Sequence, residues 1–255
     1  MPRLKRTLLL VTLLFALPLL AAACSQVNFG RDWRSASRAS AGIAPDPAFT
    51  PEAVIQVYAA RAFNWRGILA VHTWIATKPT DADHYTVHQV IGWRRGNGRS
   101  VVTSVADLPD RRWYDAEPKL LLDLRGPRAA DLIPEIEAAV ARYPHARDYT
   151  LWPGPNSNTF TAYVGREVPG LELELPVTAI GKDYLPNGNL AGVTPSGTGV
   201  QFSVLGFGGL LLSGREGLEV NLFGLVVGLD AYPPALKLPG IGRLGFANDP
   251  ARSGI

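Results

Sequence analysis

The chain has 255 residues and a single cysteine, Cys24, so it cannot form an internal disulfide. Its 25 Lys and Arg residues exceed its 22 Asp and Glu residues, and Arg3, Lys5 and Arg6 account for the whole excess. The rest of the chain is therefore balanced in charge. It lacks the concentrated basic patch that is typical of nucleic-acid-binding proteins, so we expect no nucleic-acid partner.

The first 23 residues have the three parts of an export signal: a basic start, an apolar run over residues 8–20, and small residues before Cys24. The apolar run is short for a membrane-spanning helix, which needs about 20 residues. The segment that ends at Cys24 resembles a bacterial lipobox, although Ala21 stands where leucine is usual. The resemblance implies a lipid-modified Cys24 and a place in the cell envelope, anchored on the periplasmic side. An uncleaved anchor and free secretion are the alternatives.

Residues 24–51 are rich in Pro, Ser and Ala, which is typical of a tether. We expect residues 52–245 to form a single α+β domain and residues 246–255 to form a flexible tail. The fold class is an antiparallel sheet with two main helices packed on it and a C-terminal β-hairpin. The predicted strands begin at residue 54, span 67–76 and 85–93, and continue over 100–105 and 119–124.

A polar loop, residues 77–83, separates two of these strands. If the hairpin is symmetric about Thr80, His72 lies directly opposite His88, with their Cβ atoms about 5 Å apart. This register predicts two histidines on the same side of the sheet.

The helical periodicity of Leu132, Ile133 and Ile136 predicts a first helix, with Asp131 as its cap and Pro134 in its first turn. A second helix follows a proline-rich turn at residues 152–155. Its natural cap is Asn156 or Ser157, and Pro169 and Gly170 end it.

Two apolar segments near the C-terminus, residues 200–213 and 218–228, are joined by a glycine-containing turn and predict a long hairpin. Either the hairpin packs on the main sheet, or it forms a surface that faces lipid or a partner.

The second helix start also suggests chemistry. Free backbone N–H groups at a helix N-terminus stabilise an oxyanion, and Ser157 supplies a hydroxyl there. We predict Ser157 as a nucleophile, His72 as its base and His88 as the residue that orients the base. The predicted substrate-binding residues are Asn156, Asn158, Trp74 and Trp152. In the alternative interpretation, Ser157 is only a capping or ligand-binding residue.

Metal binding is a second chemical interpretation of the histidines. His84 and His88 are four residues apart on a strand, and either His72 or Asp83 would complete a site. The expected shell of three or four ligands is not visible in the sequence, so we expect neither a metal nor a cofactor.

Several segments resemble a bacterial family, domain of unknown function 3750. The resemblance extends over roughly residues 31–245 and implies no activity. It is carried by residues 57–61, 65–67, 72–76, 152–160, 179–183, 195–199 and 217–222.

A weaker resemblance, over roughly residues 68–165, is to circularly permuted papain-like domains of the NlpC and lecithin:retinol-acyltransferase group. It implies a permuted papain-like fold in which His72, His88 and Ser157 occupy the catalytic positions, with Ser157 in place of the usual cysteine. We therefore expect an envelope hydrolase or acyltransferase that acts on amide or ester bonds of cell-wall peptide or lipid. The alternative is a non-catalytic envelope module that binds peptidoglycan, lipid or a protein partner.

Overall fold

The computed structural model describes residues 2–26 and 32–246. This part of the chain is an α+β structure, as predicted, and it contains two antiparallel sheets. The helices are α1 (Pro2–Gln26), α2 (Pro127–Ala141) and α3 (Ser157–Glu167). The first sheet has the order β4-β3-β2-β1-β5 and contains β1 (Val54–Arg61), β2 (Val71–Lys78), β3 (Thr86–Val90), β4 (Val102–Ala106) and β5 (Lys119–Arg125).

The first sheet buries its central strands because β1 and β2 are apolar on both faces. One face carries Ile55, Val57 and Ile75, which pack against α2 and α3. The other face carries Tyr58 and Trp74, which form a separate aromatic cluster.

Helix α2 begins at Pro127, which leaves the predicted cap Asp131 inside the helix and Pro134 well beyond the first turn. A proline in the first turn is favourable because its missing N–H has no helical partner there, and Pro127 occupies that place. The predicted start was therefore wrong by more than one turn, since the observed cap is Gly126 and the predicted one was Asp131.

Helix α3 lies between the two sheets. It packs on β2 and β3, and on its other side the buried Arg166 donates hydrogen bonds to Val193 O at 3.0 Å and Gln201 Oε1 at 2.8 Å. Gly165 permits this close approach, because a Cβ there would lie 2.7 Å from Pro195 O. The helix is consequently buried from its first residue to Arg166.

The predicted C-terminal hairpin is part of a seven-stranded antiparallel sheet with neighbouring strands in chain order. Its strands are β6 (Ala191–Val193), β7 (Gly199–Val204), β8 (Gly208–Ser213), β9 (Gly217–Leu222), β10 (Leu225–Ala231), β11 (Pro234–Leu238) and β12 (Gly242–Gly245). Its buried face is polar: Lys182 Nζ lies 2.5 Å from Glu219 Oε2, and Lys237 Nζ lies 3.1 Å from Glu219 Oε1. Its other face is apolar and exposed.

The N-terminal segment contacts the domain through α1 and through the predicted tether. Helix α1 packs near Gly240, where Leu19 and Ala22 are its nearest side chains. Within the predicted tether, Ser40 and Ile43 hydrogen-bond to the buried carboxylate of Asp110, so this part lies on the domain. Among the described residues, no helix has both the length and the apolar character needed to cross a bilayer. The predicted tail lies outside the described residues, except for Phe246.

Candidate functional site

A capping box fixes the start of α3. The Asn156 side chain accepts hydrogen bonds from Asn158 N at 2.9 Å and Thr159 N at 3.2 Å, and Thr159 Oγ1 accepts one from Asn156 N at 3.1 Å. The Asn156 amide also donates to Leu151 O and Ile180 O. The polar atoms of Asn156 are therefore occupied in holding the turn before α3 against the loop at residue 180.

Asn158 ties the same helix start to the first sheet. Its amide donates to Val71 O at 3.0 Å and Ile180 O at 2.8 Å, and its Oδ1 accepts from Thr73 Oγ1 at 2.9 Å. Gly181 is required beside this cluster, since it has φ +102° and a Cβ there would lie 2.4 Å from Asn156 Nδ2.

Ser157 is the first residue of α3 and lies between Asn156 and Asn158, whose side chains are both held by hydrogen bonds. Neither its hydroxyl nor its backbone N–H has a hydrogen-bond partner among the residues that the structure describes. The two N–H groups that follow are taken up by Asn156. The N–H of Ser157 is thus the group at this terminus that remains available to an oxyanion.

His72 is buried at the start of β2. Its Nε2 lies 3.0 Å from Gln89 Oε1, and its ring stacks on Trp113 with a centroid distance of 3.7 Å. The pKa of His72 is lowered to about 4, mainly by burial; the hydrogen bond to Gln89 opposes this shift, and the charge of Arg111 contributes to it. The imidazole is therefore neutral at pH 7. Because an amide oxygen only accepts hydrogen bonds, Nε2 carries the proton and Nδ1 presents a lone pair.

His88 lies on the other face of the sheet, so the predicted pairing with His72 was wrong. In the observed register Ile75, not His72, is opposite His88. The chain turns later than Thr80, so the loop between β2 and β3 is not symmetric about that residue. The register consequently shifts by three residues. An odd shift moves a side chain to the opposite face.

The surroundings of His88 are unlike those of His72. Its Nε2 bonds to Thr77 Oγ1 at 3.1 Å and its Nδ1 to Ser104 Oγ at 2.8 Å. Burial lowers its pKa to about 4. The position beside His72 that we predicted for His88 is instead occupied by Gln89.

Ser157 and His72 line the same cavity, which has a volume of about 1430 Å³. Its walls are mainly apolar and aromatic, and five of the six tryptophans contribute to them: Trp33, Trp65, Trp93, Trp113 and Trp152. Three arginines, Arg38, Arg66 and Arg111, also line it, and no acidic residue among those described does so. A cavity of this kind favours a ligand with a large apolar part and a negative charge.

Residues 52–184 match a protein family described as protein of unknown function (DUF3750). The chain belongs to this family. The matched segment contains the five-stranded sheet, α2 and α3, and it ends before β6. No curated protein and no solved structure is significantly similar to the chain, so the papain-like resemblance stays a hypothesis.

Of the four predicted substrate-binding residues of this DUF3750 protein, three line the cavity and one does not. Asn156, Asn158 and Trp152 line the cavity, and Trp152 Nε1 donates to Phe223 O at 2.9 Å. Trp74 is 2% exposed and does not line it; its Nε1 donates to Pro109 O, and its ring packs beside His72.

The exposed His84 bonds to Asp83 at 2.6 Å and stands apart from the cavity. Within residues 2–26 and 32–246, no group of three His, Cys, Asp or Glu side chains is arranged to hold a metal ion. The metal interpretation therefore has no candidate shell in the described part of the chain.

Sequence reasoning missed Gln89 and the three cavity arginines. Gln89 follows His88 in the sequence, and the correct strand register would have placed it on the same face of the sheet as His72. The arginines come from three separate segments, and no sequence spacing relates them.

Proposed function

We propose that this protein is a serine-dependent hydrolase or acyltransferase that acts on a negatively charged, amphiphilic ester or amide. The observation that carries the proposal is the unbonded hydroxyl of Ser157 at the start of α3, in the same cavity as the neutral His72. The apolar walls favour a lipid substrate over cell-wall peptide, and the arginines favour an anionic group on it.

In the proposed reaction, Ser157 Oγ attacks the carbonyl carbon and its proton passes to His72 Nδ1. The oxyanion accepts a hydrogen bond from the Ser157 N–H. The C–O or C–N bond then breaks, and the imidazolium returns its proton to the leaving oxygen or nitrogen. Water, or a second alcohol or amine, removes the acyl group from Ser157 by the same steps in reverse.

The environment of His72 both helps and limits this chemistry. Its lowered pKa keeps the lone pair available at neutral pH, but forming the imidazolium costs about 3 kcal/mol more than it would in water. The adjacent oxyanion and the carbonyl of Gln89 offset part of this cost. Gln89 is a positioning residue in this mechanism, since it fixes the ring and its tautomer.

A long-chain alkyl fluorophosphonate tests the proposal. We expect covalent labelling of the wild type, none of Ser157→Ala, and a rate lowered by about 100-fold or more in His72→Gln. His88→Gln is the matched control, because His88 is likewise buried in the same sheet but does not line the cavity. Labelling of Ser157→Ala, or equal losses in the two histidine variants, would exclude the mechanism.

Gln89→Glu separates a positioning role from a structural one. A carboxylate beside the ring stabilises the imidazolium, so the pH midpoint of labelling should rise. A lower rate with an unchanged midpoint would show that Gln89 only supports the fold.

The second candidate is non-catalytic binding of the same class of amphiphile. It is favoured by the full occupation of the Asn156 and Asn158 side chains, which leaves few free polar groups in the cavity. Binding of an anionic alkyl lipid, unchanged in Ser157→Ala, together with absence of fluorophosphonate labelling, would support it.

For either function we propose a place in the cell envelope, with anchoring through Cys24. The Cys24 side chain is exposed near the end of α1 and is a free thiol. Mass spectrometry of the N-terminus checks this: an unmodified Cys24 would exclude a lipid anchor.

A further inference from the structure

We infer that the outer face of the seven-stranded sheet rests on a lipid bilayer. This inference goes beyond the proposed reaction and holds whether or not Ser157 is a nucleophile. The apolar face consists of the outward-facing positions of β7 to β12. Its large side chains are Val200, Phe202, Val204, Leu210, Leu212, Leu218, Val220, Leu222, Leu225, Val227, Leu229, Leu236 and Leu244.

The strand register aligns these side chains into rows across the sheet. Val200 pairs with Leu212, Leu212 with Leu218, Leu218 with Leu229, Leu229 with Leu236, and Leu236 with Leu244. The row crosses all six strands without a charged or hydrogen-bonding side chain. The remaining outward positions carry Gly, Ala or Pro, apart from the buried Leu238.

The polarity of this sheet is the reverse of that expected for a sheet whose outer face meets water. The inward positions of the same strands carry Gln201, Glu219, Asn221, Asp230 and Lys237, all of which are buried. An alternating strand pattern with its apolar side outward is typical of β-structure in contact with lipid.

The composition of the apolar face distinguishes lipid from a second copy of the chain. An interface between two proteins carries about one hydrogen bond per 100–200 Å², and these polar contacts fix its register. The row of paired side chains from Val200 to Leu244 offers no such group. A bilayer needs no polar contacts with the surface that it covers.

Aromatic residues flank the apolar face at both strand ends. Phe207 and Phe223 lie in turns at one end, and Tyr232 and Phe246 lie at the other; they are 40%, 72%, 75% and 70% exposed. Aromatic side chains at the two edges of an apolar band are typical of membrane contact.

The apolar face is also continuous with the cavity. Leu225 belongs to both, and the neighbouring Phe223 lines the cavity as well. The apolar face thus borders the cavity at the point where an amphiphile would pass from a bilayer into it.

Fluorescent labels at single cysteines test the inference on the full chain, in a Cys24→Ser background. A nitrobenzoxadiazole label is placed at Leu212→Cys in the apolar face, and a control label at Glu137→Cys on the exposed side of α2. With vesicles of phosphatidylethanolamine and phosphatidylglycerol, we expect the emission of the first label to shift to the blue and to rise several-fold. Lipids with brominated acyl chains should quench it by about half and leave the control unchanged.

The paired labels separate contact of the sheet from insertion of α1 alone. If the chain floats with vesicles while the Leu212→Cys label stays in water, the inference is wrong. A blue-shifted label without vesicles, together with a doubled mass in sedimentation, would assign the apolar face to a second copy. Failure of the chain to bind vesicles would overturn the inference as well.

Discussion

The two buried histidines make a quantitative prediction about stability against pH. Unfolded histidine binds its proton below about pH 6.5, whereas His72 and His88 bind theirs only near pH 4 in the folded protein. Between these values the unfolded chain carries more protons. Stability therefore rises with pH through this window and is lost on acidification.

The magnitude follows from the two pKa values. For one histidine with a pKa near 6.5 unfolded and about 4 folded, moving from pH 7.5 to pH 5 costs about 2 kcal/mol. His72 and His88 together give about 4 kcal/mol, which is a large part of the 5–15 kcal/mol that is usual for a folded domain.

Urea unfolding, followed by tryptophan fluorescence at pH 7.5 and pH 5, measures this loss. We expect His72→Gln and His88→Gln each to reduce the pH-dependent loss by about 2 kcal/mol, and the double variant by about 4 kcal/mol. His84→Gln is the control, because the His84 side chain is 60% exposed and burial is the cause invoked. If the double variant loses as much stability on acidification as the parent, the histidines are not buried in their neutral form.

Three further predictions concern the helix start and the ionic interior. Asn156→Ala should cost about 2–4 kcal/mol and Asn156→Ser about half as much, because serine retains only the cap; equal costs in urea unfolding would contradict this. Gly181→Ala should displace the Asn156 amide and slow Ser157 labelling, and an unchanged rate would argue against that contact. Lys182→Met should cost about 3–5 kcal/mol, and adding Glu219→Leu should recover part of it; additive costs in a double-mutant cycle would show that the pair is not coupled.

Much of the first sheet was predictable because its signals are local. The sequence 152–160 contains a rigid turn, two candidate capping residues and a spaced apolar series, and α3 begins at Ser157, directly after Asn156, one of the two predicted caps. The register of β2 and β3 was not predictable in the same way. It depends on where the chain turns within the loop of residues 79–85. Asp81 adopts a left-handed conformation in this loop, with φ +58°.

The site was predictable to the extent that it depends on residue type at a secondary-structure boundary. Ser157 at a helix start and His72 at a strand start both line the cavity. The contact of Gln89 with His72 could not be predicted, since it follows from a three-residue shift in register. The cavity walls could not be found either, because they combine side chains as far apart as Trp33 and Phe223 in the sequence.

The inverted second sheet shows why an alternating pattern alone does not define a core. The sequence of β9, Gly217–Leu222, alternates Leu218, Val220 and Leu222 with Glu219 and Asn221, and either set fits a strand face. Burying Glu219 beside Lys182 and Lys237 is favourable only because each charge is paired, and such pairs are often no more stabilising than apolar residues of the same size. The ionic interior therefore stabilises the sheet no more than an apolar interior would. Covering the apolar face is a further source of stabilisation, so vesicles should raise the thermal midpoint of the C-terminal sheet, whereas replacing Leu218 and Leu229 by Asp should abolish that rise. A rise that persists in this variant would mean that the vesicles act on another part of the chain.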